Sequence, residues 1–246
     1  MKTLIASGCS FTFEPWNWPT FVANKFNLEL RNVGMASQGN GLIARKLIYE
    51  VNKALDLYNP DEILVGVMWS GTDRHEFYKE ESIDSKSWGN YPKDYNDVKN
   101  PTNVVDGKLN WYILNHHWTN KESTTYYKNF HTVVQGMVLS LEHILRVQLF
   151  LEKMGIKYFM SSYLDIFSDA SLMNNDEISY LYKNINLNSF LPVKGCHEWV
   201  KENYSNNGGF NEPDEKGYIG IHPTEFGHKK FTDEVIIPHL NKIYHE

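Results

Sequence analysis

The hydrophobic positions of the chain fall into short apolar runs separated by amphipathic stretches. Four runs have the length of a β-strand, at Lys2–Ser7, Glu29–Val33, Glu62–Trp69 and Lys157–Tyr163. The run from Glu62 is almost continuously apolar, as expected for a central parallel strand that is covered on both faces. These runs predict a largely parallel sheet.

Amphipathic stretches predict helices between and after these strands. From Gly41 the apolar residues recur every four positions, which marks one face of a helix that residues 59–60 (Asn-Pro) bring to an end. A long helix is predicted from roughly Thr125 to Lys153. The last helix begins at about Thr224, and a proline within it, Pro238, is expected to kink or interrupt it.

Two polar and aromatic stretches, 74–123 and 166–216, have no sustained period. They are predicted to be irregular insertions, the first as a lid and the second with one short helix near 176–184. Strands that alternate with helices predict an α/β fold, a three-layer α/β/α sandwich with a mostly parallel, flavodoxin-like central sheet. Because no repeat or linker divides the chain, a single domain over 1–246 is expected.

Composition narrows the class of protein. The 246 residues are 41% hydrophobic and 22% charged, which is typical of a globular chain. A net charge of -6 argues against nucleic acid as the main partner. The apolar run Leu4–Ala6 is too short for a secretory signal, and no run approaches the ~18 apolar residues of a membrane helix. A cytoplasmic protein without a membrane partner is therefore expected.

Cysteines and aromatic residues add little that is specific. The two cysteines, Cys9 and Cys196, are too few for a disulfide framework and lack metal-ligand spacing. Aromatic residues make up 14% of the chain, and many lie in the two irregular stretches. They fit a carbohydrate-binding or ligand-binding surface, and equally small cores beneath long loops.

Small polar residues follow three of the predicted strands. They are residues 8–10 (Gly-Cys-Ser), 34–40 and 70–74. Because ligands bind at the carboxyl ends of strands in such sheets, we expect these residues to meet in one site. Ser10 would need a base to act as a nucleophile. The candidate base is His222, which precedes a proline and the last helix.

Four blocks in this order resemble the SGNH/GDSL hydrolase superfamily: GCSF at 8–11, NVGMASQGN at 32–40, WSGTDR at 69–74 and IHPTEFGH at 221–228. The resemblance implies that Ser10 is the nucleophile and His222 the base. It further implies an oxyanion hole made by the backbone N–H groups of Ser10 and Gly34 and by Thr72. GCSFT followed by Trp18-Pro19 is also similar to a phage-associated branch, which implies possible association with a virion.

Two positions depart from the superfamily pattern. Ile219 stands where the family has an aspartate that orients the histidine, so Asp214 or Glu215 would have to reach in, or the pair would act as a Ser-His dyad. Thr72 stands where the family has an asparagine that donates to the oxyanion.

Residues near Ser10 and Thr72 are further candidates. Cys9, at the aspartate position of the first block, is expected to have a packing role. Ser70 is a second possible donor from the loop that contains Thr72. Asp73 and Arg74 are expected either to pair with each other or to leave Arg74 facing an anionic substrate. The adjacent histidines at 116 and 117 could line the lid or a platform that binds a sugar.

The function expected from the resemblance is a serine esterase or acyl hydrolase without a metal or organic cofactor. Its substrate would be a small-molecule or carbohydrate ester, such as an O-acetyl group. Two alternatives remain open: a non-catalytic binding or structural module, favoured by the missing aspartate and asparagine, and an acyltransferase with the same acyl-serine intermediate. Retention of Ser10, Gly34 and His222 together favours the enzyme.

Overall fold

The four predicted strands form one parallel sheet. The computed structural model describes residues 1–83, 109–117, 121–211 and 220–245. The described strands are β1 (Thr3–Gly8), β2 (Glu29–Asn32), β3 (Ile63–Trp69), β4 (His75–Ile83), β5 (Leu109–Leu114) and β6 (Lys157–Ser162). The central sheet has the order β2-β1-β3-β6, and every neighbouring pair is parallel. All four carboxyl ends therefore lie at one edge.

Helices cover both faces of this sheet. They are α1 (Ser10–Phe13), α2 (Trp18–Phe26), α3 (Asn40–Leu55), α4 (Lys121–Asn129), α5 (Val133–Met154), α6 (Asp176–Tyr182), α7 (Cys196–Tyr204), α8 (Glu225–Phe231) and α9 (Ile237–His245). The α/β class and the three layers are confirmed.

Alternation along the strands divides the core in two. On β3, the odd positions Ile63, Val65 and Val67 pack with α3 and α5 in one buried cluster. The even positions Leu64 and Met68 pack in the other cluster, with buried residues of α2, α7, α8 and α9. A strand buried on both faces is apolar at successive positions, which explains the continuous run in the sequence.

The helix predicted over 125–153 is in fact two helices. The chain breaks between α4 and α5, where the Thr132 side chain accepts a hydrogen bond of 3.1 Å from the N–H of Gln135 and caps α5. Among the described residues, α5 alone is long and apolar enough to cross a membrane, by length and composition only. Five of its buried apolar residues belong to the core cluster formed with the odd positions of β3: Met137, Leu141, Ile144, Val147 and Leu151.

The two stretches predicted to be irregular contain regular structure. In the first, β4 and β5 form an antiparallel hairpin, so the expectation of little regular structure over 74–123 was wrong where the chain is described. In the second, α6 confirms the short helix near 176–184, and α7 was not predicted. Both helices have mostly polar surfaces, so the sequence shows no clear helical periodicity of apolar residues. The buried residues are Ile178 in α6 and Cys196 and Val200 in α7.

The interruption predicted at Pro238 is confirmed. Between α8 and α9, residues 232–236 form a π-helical segment that ends two residues before Pro238. Proline has no N–H to donate to the carbonyl of the residue four positions earlier, and its ring clashes with that carbonyl. A wider turn at this point relieves the clash.

Gly66 at the middle of β3 is a packing requirement. A Cβ at this position would lie 2.7 Å from Phe159 Cζ and 2.8 Å from Trp18 Cη2. These two rings pack edge to face against each other over the strand, with centroids 5.6 Å apart. The bare backbone of Gly66 therefore makes room for the aromatic pair.

We expect Gly66→Ala to lower the free energy of unfolding by about 1–3 kcal/mol, because the added methyl overpacks a rigid aromatic contact. Urea unfolding measures the change. The double variant Gly66→Ala/Phe159→Leu should lose less than the sum of the two single variants, since a smaller side chain at 159 removes the clash. Strict additivity would show that the methyl does not contact Phe159.

Candidate active site

The turn after β1 presents Ser10 as the first residue of α1, and Ser10 is partly exposed. The chain reverses tightly here, because the N–H groups of Thr12 and Phe13 both bond to the carbonyl of Cys9. Only glycine fits at position 8, since a Cβ there would lie 2.1 Å from Thr12 Oγ1 and 2.8 Å from the Met68 carbonyl. Cys9 is fully buried in the core, as predicted.

Side-chain amides hold the carbonyl groups of this turn. Asn17 Nδ2 donates to the Ser10 carbonyl at 2.8 Å, and Asn32 Nδ2 donates to the Thr12 carbonyl at 2.6 Å. Gln38 Nε2 bonds to the carbonyl of Gly8. A helix of one turn leaves its carbonyls without helical partners, so Asn17 and Asn32 satisfy those of Ser10 and Thr12, while Gln38 holds the end of β1. Together the three amides fix the turn from which Ser10 projects. No motif in the sequence marks Asn17 or Asn32 for this purpose.

His222 is positioned from both sides of its own loop. On one side, Thr224 caps α8, and its N–H donates to the Gly209 carbonyl at 2.9 Å. On the other, His197 Nδ1 donates to the Ile221 carbonyl at 2.8 Å, and the His197 backbone N–H bonds to the Tyr163 carbonyl at 2.9 Å. His197 therefore ties the histidine loop to the residue that follows β6. No pattern in the sequence predicts this positioning role for His197.

The structure brings Ser10 and His222 together across 212 positions of sequence, with Ser10 Oγ 2.7 Å from His222 Nε2. When the imidazole proton is on Nδ1, Nε2 accepts from the serine hydroxyl, which is the direction that activates a serine. The ring also packs against Phe11, with centroids 4.8 Å apart. This is the geometry expected of a nucleophile and its base.

Desolvation of the imidazole, together with the charges of Arg74 and His197, lowers the pKa of His222 below its ordinary value. The residue as a whole is open to solvent, but its ring is partly desolvated against Phe11. A depressed pKa keeps the imidazole neutral at neutral pH. It can then take the serine proton.

The third member predicted for the site lies outside the described residues. Asp214, Glu215 and Ile219 all fall within 212–219. In the ranges that the structure does describe, no carboxylate lies within hydrogen-bonding distance of His222. An orienting group at Nδ1 therefore stays a prediction.

The oxyanion candidates differ in their availability. The Gly34 N–H donates to Asn32 Oδ1 at 2.9 Å, so in this state a side chain already uses it. Thr72 is partly exposed in the loop after β3, and its carbonyl packs against α5 at Gly136. The Ser10 N–H lies in the first turn of α1, where helical N–H groups have no helical partner.

Ser70 has a structural position. It is fully buried, its backbone N–H donates to Asn40 Oδ1 at 2.7 Å, and its carbonyl accepts from Asn40 Nδ2 at 3.1 Å. Asn40 Nδ2 also donates to Ser140 Oγ at 3.0 Å. These hydrogen bonds tie the loop after β3 to α3 and α5, and so they fix the backbone of the loop that carries Thr72.

Asp73 and Arg74 do not pair with each other as expected. The Asp73 carboxylate instead contacts Nδ1 of His116, from the segment that follows β5. Tyr127 of α4 bonds to the Asp73 carbonyl, and its hydroxyl lies 3.0 Å from the Leu114 carbonyl. The hairpin and α4 thus fasten onto the loop after β3, and the Arg74 guanidinium is left over the ring of Tyr163, 5.3 Å from its centroid.

Comparison with known proteins shows the family of the chain. Its residues 7–192 match the model of a family of unknown function, DUF6071. The chain belongs to that family. The DUF6071 match includes Ser10 and the loops after β1, β2 and β3, and it ends before His222. None of the curated proteins matches the chain.

Among solved structures, the chain is similar to a lipolytic protein of the G-D-S-L family from Desulfitobacterium hafniense DCB-2, with 13% identity and a TM-score of 0.48 over 95% of this chain and 97% of that one. It is also similar to TesA, with 10% identity and a TM-score of 0.48 over 97% and 98% of the two chains. A member of the lipolytic G-D-S-L family from Veillonella parvula DSM 2008 has 10% identity and a TM-score of 0.43, with 95% of each chain covered.

We expect Arg74→Gln to raise the pKa of His222, because removal of the nearby guanidinium makes the imidazolium easier to form. Titration of the His222 Cε1 proton by NMR, identified by its loss in His222→Asn, measures the change. Lys230→Gln removes one positive charge from the exposed face of α8 and is the matched control, which should leave the value where it was. A lower or unchanged pKa in Arg74→Gln would show that the guanidinium does not act on this ring.

Proposed function

We propose that this DUF6071 protein is a serine-dependent ester hydrolase with Ser10 as nucleophile and His222 as base. The observation that carries the proposal is the 2.7 Å contact between Ser10 Oγ and His222 Nε2. The partly exposed serine on a rigid turn and the depressed pKa of the histidine support it. The position of the pair at the carboxyl edge of a parallel sheet is where such folds bind ligands.

In the first step, Ser10 Oγ attacks the ester carbonyl carbon while His222 Nε2 takes the hydroxyl proton. The carbonyl oxygen becomes an oxyanion that the Ser10 N–H and the Thr72 hydroxyl stabilise. The Gly34 N–H joins them if it exchanges its bond to Asn32 for one to the oxyanion. Collapse breaks the bond to the leaving oxygen, which takes the proton from His222 and departs as an alcohol.

In the second step, water loses a proton to His222 and attacks the acyl-serine. The bond between Ser10 Oγ and the acyl carbon then breaks, the serine oxygen recovers the proton, and a carboxylic acid is released. An O-acetyl group on a carbohydrate is the substrate that we favour, and an aryl acetate presents the same acyl group to the serine. Release of free acid in water separates this activity from acyl transfer to another acceptor.

A fluorophosphonate probe tests the proposal directly. The wild-type protein should be labelled, Ser10→Ala should abolish labelling, and His222→Ala should slow it by at least about 10²-fold, since an unactivated serine hydroxyl reacts poorly. Ser168→Ala removes an exposed hydroxyl elsewhere and should be labelled at the wild-type rate. Labelling is followed by intact-protein mass spectrometry.

Equal labelling of Ser10→Ala and wild type would show that another residue reacts. No labelling of a folded wild-type protein, confirmed by its thermal transition, would favour the non-catalytic binding module.

Thr72 is tested by removing its hydroxyl at constant shape. We expect Thr72→Val to lower kcat for 4-nitrophenyl acetate by about 10²-fold with little change in KM, because an oxyanion donor acts only in the transition state. Thr72→Ser keeps the hydroxyl and should retain most of the activity. A wild-type kcat in Thr72→Val would exclude the hydroxyl from the oxyanion hole.

A further inference from the structure

The guanidinium of Arg74 lacks a carboxylate partner in the part of the chain that the structure describes. Its neighbour Asp73 is turned toward His116, and Arg74 forms no ion pair there. Among the described residues, buried Nη1 has no hydrogen-bond partner. A buried guanidinium nitrogen without an acceptor is costly, so its presence calls for a reason.

Aromatic stacking and a hydrogen bond to the Cys9 sulfur hold this group without satisfying Nη1. The guanidinium lies over the Tyr163 ring at 5.3 Å from the centroid, which offsets part of the cost of desolvation. The face of a ring accepts no conventional hydrogen bond from Nη1. Stacking therefore fixes the plane of the guanidinium and leaves Nη1 as a donor that no acceptor among the described residues satisfies.

Arg74 also belongs to the same cluster as the catalytic pair. The Tyr163 ring packs on Phe11 at 4.9 Å between centroids, and Phe11 packs on His222 at 4.8 Å. Phe11 directly follows Ser10. The guanidinium of Arg74 and the serine are thus joined by a continuous run of packed rings at the carboxyl edge of the sheet.

We propose that Arg74 binds an anionic group of the substrate, a carboxylate, phosphate or sulfate, next to the ester that Ser10 attacks. This inference rests on the proposed hydrolase function and specifies its substrate class. The fork of a guanidinium matches the oxygens of all three groups, and a charge-assisted hydrogen bond to Nη1 would satisfy the buried donor.

The main rival is a direct role for Arg74 in the oxyanion hole. A reaction oxyanion exists only during turnover, whereas the buried cation is present in the resting protein. A permanently charged substrate group satisfies Nη1 from the moment of binding, and the proposed mechanism already assigns the oxyanion to the Ser10 N–H and the Thr72 hydroxyl. These considerations favour recognition of an anion in the ground state.

Two matched ester pairs test the proposal. Mono-4-nitrophenyl adipate and 4-nitrophenyl hexanoate share a leaving group and differ in a terminal carboxylate on the acyl side. Acetyl esters of 4-hydroxybenzoate and of its methyl ester place the charge on the leaving side. In at least one pair, we expect Arg74→Gln to lower the anionic-to-neutral ratio of kcat/KM by about 10- to 100-fold.

Two variants control for charge and folding. Arg74→Lys keeps the charge without the fork and should retain part of the preference, and Lys230→Gln should leave it at the wild-type value. Thermal transitions confirm that each variant folds. An equal loss for both members of each pair, or ratios that Arg74→Gln does not change, would overturn the proposal in favour of an oxyanion or purely structural role.

A second readout needs no turnover. Inorganic phosphate, titrated at constant ionic strength, should shift the His222 Cε1 proton resonance of the wild-type protein, and Arg74→Gln should remove that response. Phosphate binding that depends on Arg74 without any hydrolysis or serine labelling would keep the anion site and reject the proposed function. Hydrolysis with neither phosphate binding nor anionic preference would keep the function and reject the anion site.

Discussion

The geometry of the site depends on one constraint. The chain turns sharply from the end of β1 into the one-turn helix α1, and the backbone carbonyls of this turn must find hydrogen-bond donors in other segments. Asn17 and Asn32 donate to the carbonyls of Ser10 and Thr12, and Gln38 bonds to that of Gly8. Asn17 lies between α1 and α2, Asn32 is the last residue of β2, and Gln38 lies in the loop that follows β2. The serine is therefore held by the packing of the whole sheet edge, and the hydroxyl direction does not depend on α1 alone.

His222 is positioned differently, because hydrogen bonds to backbone carbonyls fix its loop to the neighbouring elements. His197 and Thr224 anchor the two sides of His222 on the segments after β6 and α7. A contact between positions 212 apart is entropically costly to form by chance. Because both partners are fixed independently, little additional ordering is needed to bring Ser10 Oγ and His222 Nε2 together.

The fold and the contact between Ser10 and His222 could be predicted because their signals are local. Strand runs, the small residues at 8–10 and the histidine before Pro223 each occupy a few consecutive positions, and their order restricts the topology. The contact of Asp73 with His116 could not be predicted, because it depends on how the β4–β5 hairpin folds back. The break before Thr132 was hidden for a related reason, since apolar spacing continues across it.

Under the proposed mechanism, the charges around His222 oppose the first chemical step and favour an anionic substrate. Arg74 and His197 oppose the imidazolium that forms when the histidine takes the serine proton. A carboxylate behind the ring is the usual remedy. Under the proposed assignment, the substrate supplies a second remedy, because an anion on Arg74 cancels its charge and makes the imidazolium easier to form. Binding of the anionic group would then activate His222 as well as position the ester, and specificity and catalysis would depend on the same guanidinium.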